Sequence, residues 1–123
     1  MRDHRKLRAF ELADEVAINV YRVTAHFPKA EIYGLTSQIR RAAISVPSNI
    51  VEGCARESQA DYLRFLDIAF GSLRELHYQL SIAKRLAFIS DDEMFKLEPI
   101  VIETEKVLGS LIRSNRKRKG TSD

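Results

Sequence analysis

Apolar side chains recur at steps of three and four residues along most of the chain, and this spacing predicts amphipathic helices. The first helix is expected from about Lys6 to Phe27, because Pro28 disfavours a helical conformation in the residue before it. Its apolar face is formed by Phe10, Ala13, Ala17, Val20, Thr24 and Phe27.

The second predicted helix begins between residues 29 and 33 and ends near Cys54. Pro47 lies inside it and should bend it, because the carbonyl of Ala43 loses its helical hydrogen-bond donor. Asn49 falls on the buried face, where its amide needs hydrogen-bond partners. The rest of that face is formed by Leu35, Ile39, Ala42 and Val46.

The third predicted helix has the most regular pattern, with a heptad-like apolar face over its whole length. Ser58 is expected to cap its first turn together with Asp61, and the helix should end near Phe88. Its apolar face is formed by Tyr62, Leu66, Ala69, Leu73, Leu76, Leu80 and Ala83.

The fourth predicted helix opens at Ser90, whose hydroxyl can form a capping box with the carboxylate of Glu93. Pro99 should kink it early, and the apolar spacing stops after Arg113. Its apolar face is formed by Met94, Leu97, Val101, Thr104, Leu108 and Leu111.

Four helices with short connections predict an all-α fold, an up-down-up-down four-helix bundle. The bundle is expected over residues 1–113, with residues 1–5 as a basic arm and residues 114–123 as a disordered basic tail. Further apolar residues lie off the four faces, and they fit either a contact between copies or a generously packed monomer core. These residues are Phe65, Phe70, Ile82, Ile100, Ile102 and Val107.

Composition narrows the class of protein. The single cysteine, Cys54, excludes a disulfide within the chain and, with no cationic and apolar leader, indicates a reducing compartment. No apolar run approaches the ~20 residues that are needed to cross a bilayer. The sequence therefore predicts one cytoplasmic domain that does not enter a membrane.

The net charge of +3 is unevenly distributed along the chain. Residues 1–8 carry four basic side chains and one acidic side chain, and residues 113–123 carry five and one, so the two ends are +7 and the middle is −4. Basic ends suit nucleic acid or another polyanion, although they also occur in proteins where they serve only solubility.

The residues that could perform catalysis are few and scattered. The three histidines are His4, His26 and His77, and none has a partner at the spacing of metal ligands. Cys54 has no visible base and is expected to be a buried, inert thiol. We therefore expect no catalytic residue, no metal and no cofactor.

Two polar stripes follow the second and third helices. The stripe on the second helix is Gln38, Arg41, Ser45, Ser48 and Glu52, and the stripe on the third is Arg64, Asp67, Gly71, Arg74, Tyr78, Ser81 and Arg85. Arginine can grip phosphate with two hydrogen bonds, and tyrosine can stack on a base. The alternative is an ordinary solvated face, in which Arg64 pairs with Asp61 or Asp67.

Two long motifs resemble a known family. The stretches FPKAEIYGLTSQIRRAAISVPSNIVEG (residues 27–53) and FLDIAFGSLRELHYQL (residues 65–80) are similar to the bacterial four helix bundle proteins. That family includes proteins encoded in intervening sequences of 23S ribosomal RNA genes, and it resembles the accessory variability proteins of diversity-generating retroelements. The matching positions are Gln38, Arg40, Arg41, Ser45, Pro47, Asn49, Glu52, Gly53, Gly71, Ser72 and Glu75.

The resemblance implies a four-helix bundle that assembles as a ring-like homo-pentamer. It also implies, from the retroelement relatives, a basic surface that meets RNA or DNA and a reverse transcriptase. Two departures, Phe10 where relatives often have Trp and Val51 where Ala is common, keep apolar character.

Residues and resemblance together favour a non-catalytic homo-oligomer that associates with RNA or DNA. The candidate contacts are Arg40, Arg41, Arg64, Arg74, Arg85, Arg116, Lys117, Arg118 and Lys119. The main alternative is a scaffold for protein–protein interactions, or an accessory subunit, that binds no nucleic acid itself. A third is an enzyme with its site at a subunit interface.

Overall fold

Four antiparallel helices account for most of the chain. The computed structural model describes residues 2–122, with side chains described through residue 117. The helices are α1 (Arg8–Thr24), α2 (Leu35–Cys54), α3 (Gln59–Arg85) and α4 (Asp91–Ser122), and residues 2–122 contain no strand. Short 3-10 turns precede α1 and α2. The prediction of an all-α fold with four helices is confirmed.

Each helix contacts the next one along the chain, and α1 also contacts α4, which closes the bundle. The antiparallel order of α2 and α3 follows from two close approaches, Ser45 against Ser72 and Gly53 against Phe65. Among residues 2–122, no helix combines the length and the apolar character that a membrane crossing requires. The ring-like arrangement of several copies stays a prediction.

The core is built from the apolar faces that the spacing predicts. On α3 the whole predicted face is buried, and Leu66, Leu73, Leu76 and Leu80 have no exposed area. Each fully buried leucine contributes about 1.5–3 kcal/mol relative to an exposed one. One position at the end of α4 differs from the prediction, because Ile112 is buried and Leu111 is half-buried.

Local capping sets the start of α3 and α4. The hydroxyl of Ser58 accepts a hydrogen bond from the backbone N–H of Asp61 at 3.0 Å. The hydroxyl of Ser90 accepts from the Glu93 N–H at 3.1 Å, and the Glu93 carboxylate accepts from the Ser90 N–H at 3.0 Å. Both predicted caps are confirmed, and each satisfies backbone donors that a helix start leaves without partners.

The end of α3 uses a left-handed residue that is not glycine. Ala87 has a φ of 62°, and the N–H of Phe88 returns to the carbonyl of Ala83 at 2.8 Å. This geometry ends the helix and turns Phe88 inward, where its ring lies 5.7 Å from that of Phe27 in the connection between α1 and α2.

The prediction of a disordered tail from residue 114 is wrong for the first residues of that segment, because α4 continues there and packs on α3. Gln59 donates to the side-chain oxygen of Asn115 at 2.9 Å, and Arg116 forms an ion pair with Asp67. Ile112, one residue beyond the last predicted core position, is buried. The side chains of residues 118–123 lie outside the described part of the chain.

The basic arm predicted for residues 1–5 lies against the bundle from Arg2 onward. The guanidinium of Arg2 donates to the carbonyl of Arg56 at 2.9 Å and to the side chain of Gln59 at 2.8 Å. It also lies over the ring of Tyr62, 4.0 Å from the centroid. These contacts fix the start of the chain to the turn between α2 and α3.

Small residues let α2 and α3 approach closely. A Cβ added to Gly53 would lie 3.0 Å from the Cβ of Phe65 and 3.3 Å from the carbonyl oxygen of Tyr62. About two turns earlier on α2, the hydroxyl of Ser45 lies 2.8 Å from that of Ser72. Asn49 has the hydrogen-bond partners that its position was expected to need, since its amide donates to the Ser45 carbonyl at 2.8 Å and to the Ser45 hydroxyl at 2.9 Å.

Pro47 is buried within α2, and the helix continues past it to Cys54. The bend that its missing N–H should cause stays a prediction.

Gly53→Ala should lower the free energy of unfolding by about 1–3 kcal/mol, because the new methyl group meets backbone and Cβ atoms of α3. Gly71→Ala is the matched control. Within one chain, no described atom lies within 4 Å of an added Cβ there, so alanine should raise the stability of the unassembled chain by about 0.5–1 kcal/mol through its better helix propensity. Urea unfolding of both variants checks this, and equal effects of the same sign would contradict the close approach at Gly53.

Candidate nucleic-acid interface

The two ends of the chain that carry excess positive charge meet at one end of the bundle. The start of α1 and the last turns of α4 line a shared groove of about 370 Å³. Its walls are Leu7, Arg8, Ala9, Val107, Ser110, Leu111 and Ser114. The hydrogen bonds from Arg2 to Gln59 and from Gln59 to Asn115 connect the start of the chain to α4 through the first residue of α3.

We call the basic end the surface that carries Lys6, Arg8, Arg113 and Lys117. All four side chains are exposed, and none forms an ion pair with another described residue. Arg8 lines the groove, whereas Arg113 lines a separate, smaller pocket against α3, beside Asp67 and Arg116. Lys117 lies three residues beyond Ser114, which lines the groove. The basic end therefore presents cations whose charge is not cancelled by a neighbouring carboxylate.

Other basic residues near this end are already engaged. Arg5 pairs with Asp3 at 3.0 Å, and the hydrogen bonds that Arg5 donates hold the pKa of the Asp3 carboxyl below its usual range. Arg56 pairs with Glu52 one turn away on the helix and lies 4.8 Å from the centroid of the Phe65 ring. These residues shape the surface more than they add free charge to it.

The predicted arginine stripe on α3 is held by groups of its own chain. Arg64 lies 3.8 Å from the Asp61 carboxylate, and Arg74 lies 3.0 Å from that of Glu105. Arg85 donates to the carbonyl of Ser81 at 3.3 Å. The interpretation as a solvated face with internal ion pairs is therefore supported, with Asp61 and not Asp67 as the partner of Arg64.

The two arginines singled out on α2 have different surroundings. Arg40 donates to the hydroxyl of Thr24 at 2.8 Å and lies 4.8 Å from the centroid of the Tyr21 ring, so it ties α2 to α1. Arg41, the next residue, is exposed and forms no ion pair with a described residue. Of the α2 candidates, only Arg41 is available to a ligand.

Arg116 and Lys117 lie at the groove end of α4, and the side chains of Arg118 and Lys119 lie outside the described part of the chain. Arg116 is paired with Asp67 of α3, whereas Lys117 is exposed. Of the predicted contacts at the end of α4, Lys117 is therefore the one whose described side chain is exposed and has no ion pair with another described residue. Lys6, Arg8 and Arg113 share these two properties, and the sequence did not single them out as contacts.

A second surface lies on the outside of the α2–α3 pair. We call it the outer face and define it by the exposed residues Ile44, Ser48, Val51, Ile68 and Gly71. Ile44 is 44% exposed and Ile68 is 42% exposed, which are large fractions for isoleucine in a folded domain. Gly71 has open space around it, so nothing in its own chain requires a glycine there. This face offers apolar contact area with little steric bulk.

The groups with catalytic potential are buried or engaged elsewhere. Cys54 is 1% exposed, as predicted, and burial raises the pKa of its thiol. Burial likewise raises the pKa of Tyr62, whose ring lies beneath Arg2. No group of three or more histidine, cysteine or carboxylate side chains capable of holding a metal ion occurs among the described residues.

Comparison with solved structures gives a protein of the same fold. A crystal structure of a protein with unknown function from the S23 ribosomal protein family of Bacteroides thetaiotaomicron superimposes with a TM-score of 0.78. The two chains are 24% identical, and the match covers 85% of this chain and 95% of the other. No curated protein sequence matches significantly.

The family comparison agrees with the two long motifs. The model of the 23S rRNA-intervening sequence protein family matches residues 5–110, which include all of α1, α2 and α3 and most of α4. This bundle, with basic residues gathered at one end and an open outer face, belongs to the 23S rRNA-intervening sequence protein family.

Proposed function

We propose that the protein is a non-catalytic homo-oligomer that binds RNA or DNA through its basic end. The observation that carries the proposal is the meeting of the two basic chain ends around one groove. Exposed cations without carboxylate partners bind phosphates by releasing condensed counterions, and a carboxylate already in place would oppose that gain.

The groove suits contacts to the sugar–phosphate backbone. Arg8 can donate two hydrogen bonds to a phosphate, and the hydroxyls of Ser110 and Ser114 line the opposite wall. Stacking on bases is not favoured there, because no strongly exposed aromatic side chain lines the groove. The strongly exposed aromatic side chains among the described residues are Tyr21, Tyr33, Tyr78 and Phe95, and none of them lines the groove. We infer a preference for duplex regions, read through their backbone, over unpaired bases.

Charge removal at the basic end tests this binding. The triple variant Arg8→Ala/Arg113→Ala/Lys117→Ala should weaken binding to a labelled RNA duplex and lower the slope of log K against log salt by about 3. The control variant Arg41→Ala/Arg64→Ala/Arg85→Ala removes the same charge from α2 and α3 and should bind nearly as the wild type does. Fluorescence anisotropy at several salt concentrations gives both quantities.

Two outcomes would count against the proposal. Equal loss of affinity in the two triple variants would show that net charge matters and the groove does not. Absence of binding at low salt would favour the alternative, a scaffold or accessory subunit that binds only proteins. A reverse transcriptase partner, which the retroelement relatives suggest, is compatible with either function.

Self-assembly is the second component of the proposed function, and the outer face supports it. Ile44, Val51 and Ile68 leave apolar area in solvent, and a second copy would bury it. A mid-helix glycine costs about 1 kcal/mol relative to alanine. Close approach of a helix from a second copy would explain why a glycine stands at position 71, since no described side chain of the same chain needs the space.

Replacing Gly71 by arginine should break the assembly, because a long charged side chain then projects from the contact surface. Sedimentation velocity of the wild type is expected to give the mass of several copies of the 14.1 kDa chain, with five as the number implied by the family resemblance. Gly71→Arg should reduce this mass, and Glu103→Arg on the exposed side of α4 should not. A wild-type mass of one chain would refute assembly, and an unchanged mass for Gly71→Arg would exclude the outer face as the contact.

A further inference from the structure

His77 on α3 joins two carboxylates of α4. Its Nδ1 lies 2.9 Å from Oε2 of Glu105, and its Nε2 lies 3.0 Å from Oε2 of Glu98. The same oxygen of Glu105 also accepts a hydrogen bond from Arg74, at 3.0 Å. The imidazole therefore bridges two positions of α4 that are seven residues, or about two helical turns, apart.

The geometry favours a doubly protonated ring. An ionised carboxylate can only accept hydrogen bonds, whereas a neutral imidazole carries one N–H and one bare nitrogen. With a neutral ring, one of the two short contacts would set a nitrogen lone pair against a carboxylate oxygen. With an imidazolium ring, both contacts are charge-assisted hydrogen bonds, which are stronger than neutral ones.

The surroundings of the ring leave these carboxylates as its charged partners. The side chain of Glu105 is 11% exposed and that of His77 is 21% exposed, so solvent screens their contact only partly. Other charged pairs between α3 and α4, Lys84 with Asp91 and Asp67 with Arg116, lie further along the helices. Among the described residues, no charged group of α1 or α2 contacts the ring.

Burial by itself lowers the pKa of His77, but the hydrogen bonds and negative charges of Glu98 and Glu105 outweigh it and raise the pKa above its ordinary value. Because the folded-state pKa is above the unfolded-state value of about 6.5, protonation stabilises the fold. That stabilisation is complete below about pH 6.5 and is lost as the pH rises through the folded-state pKa.

We propose that His77 is a pH-sensitive clasp, which holds α4 against α3 when the ring carries both protons and loosens this contact when it loses one. Deprotonation leaves one of the two carboxylates without its donor. Glu105 keeps Arg74 as a partner, so Glu98, which is the more exposed of the two, is the contact that can be released to solvent. The clasp requires no nucleic acid and is independent of the proposed function.

A titration of the histidine ring protons by NMR tests the clasp directly. The pKa of His77 should lie above the ordinary histidine value of about 6.5, because two carboxylates face the ring, and Glu98→Gln or Glu105→Gln should each lower it. A His77 pKa at or below the ordinary value, or one that neither variant changes, would overturn the proposal.

Stability against pH gives the second readout. Relative to His77→Gln, the unfolding equilibrium constant of the wild type should increase between pH 6 and pH 9, by about tenfold for each pH unit that separates the folded-state and unfolded-state pKa. The control variant His26→Gln, which keeps the contacts of His77 with Glu98 and Glu105, should retain this increase. Parallel curves for the wild type and His77→Gln would show that the ring does not act as a clasp.

Discussion

The close approach of α2 and α3 is the constraint on which the remaining structure depends. Gly53 leaves room for Phe65 at the turn, and the short contact between Ser45 and Ser72 keeps the helices near each other further along. With the pair fixed in this register, the buried face of α3 meets the other helices, and the side that carries His77 is turned toward α4. The outer face is what remains on the far side of the same pair.

The up-down topology has an electrostatic consequence. An even number of antiparallel helices returns the end of the chain to the place where it began, so two basic segments at opposite ends of the sequence become neighbours. Carboxylates elsewhere neutralise the arginines beside them, as Glu105 does for Arg74 and Asp61 for Arg64. Lys6, Arg8, Arg113 and Lys117 keep their exposed charge at this end of the bundle. Exposed cations without an ion pair among the described residues also occur elsewhere, at Arg22, Lys29, Arg41, Lys96 and Lys106.

Features that depend on neighbouring residues were predictable from the sequence, and features that depend on distant contacts were not. The caps at Ser58 and Ser90 and the buried face of α3 follow from spacing and local hydrogen bonding. The docking of Arg2 on Arg56 and the order of α4 at Asn115 and Arg116 depend on partners about 50 residues away, which a helical repeat does not encode. The basic end was predictable only in part. The charge count located both basic segments, but the candidate contacts included Arg64, Arg74 and Arg85 and omitted Arg8 and Arg113.

The most direct test of the central claim is a footprint of nucleic acid on the protein. Backbone amide signals of the ¹⁵N-labelled chain can be followed by NMR while an RNA duplex is added at low salt. The account expects the largest shifts at residues 6–9 and 107–117, with much smaller ones along residues 64–85. Shifts that follow α3, or no shifts at any RNA concentration, would contradict binding at the basic end.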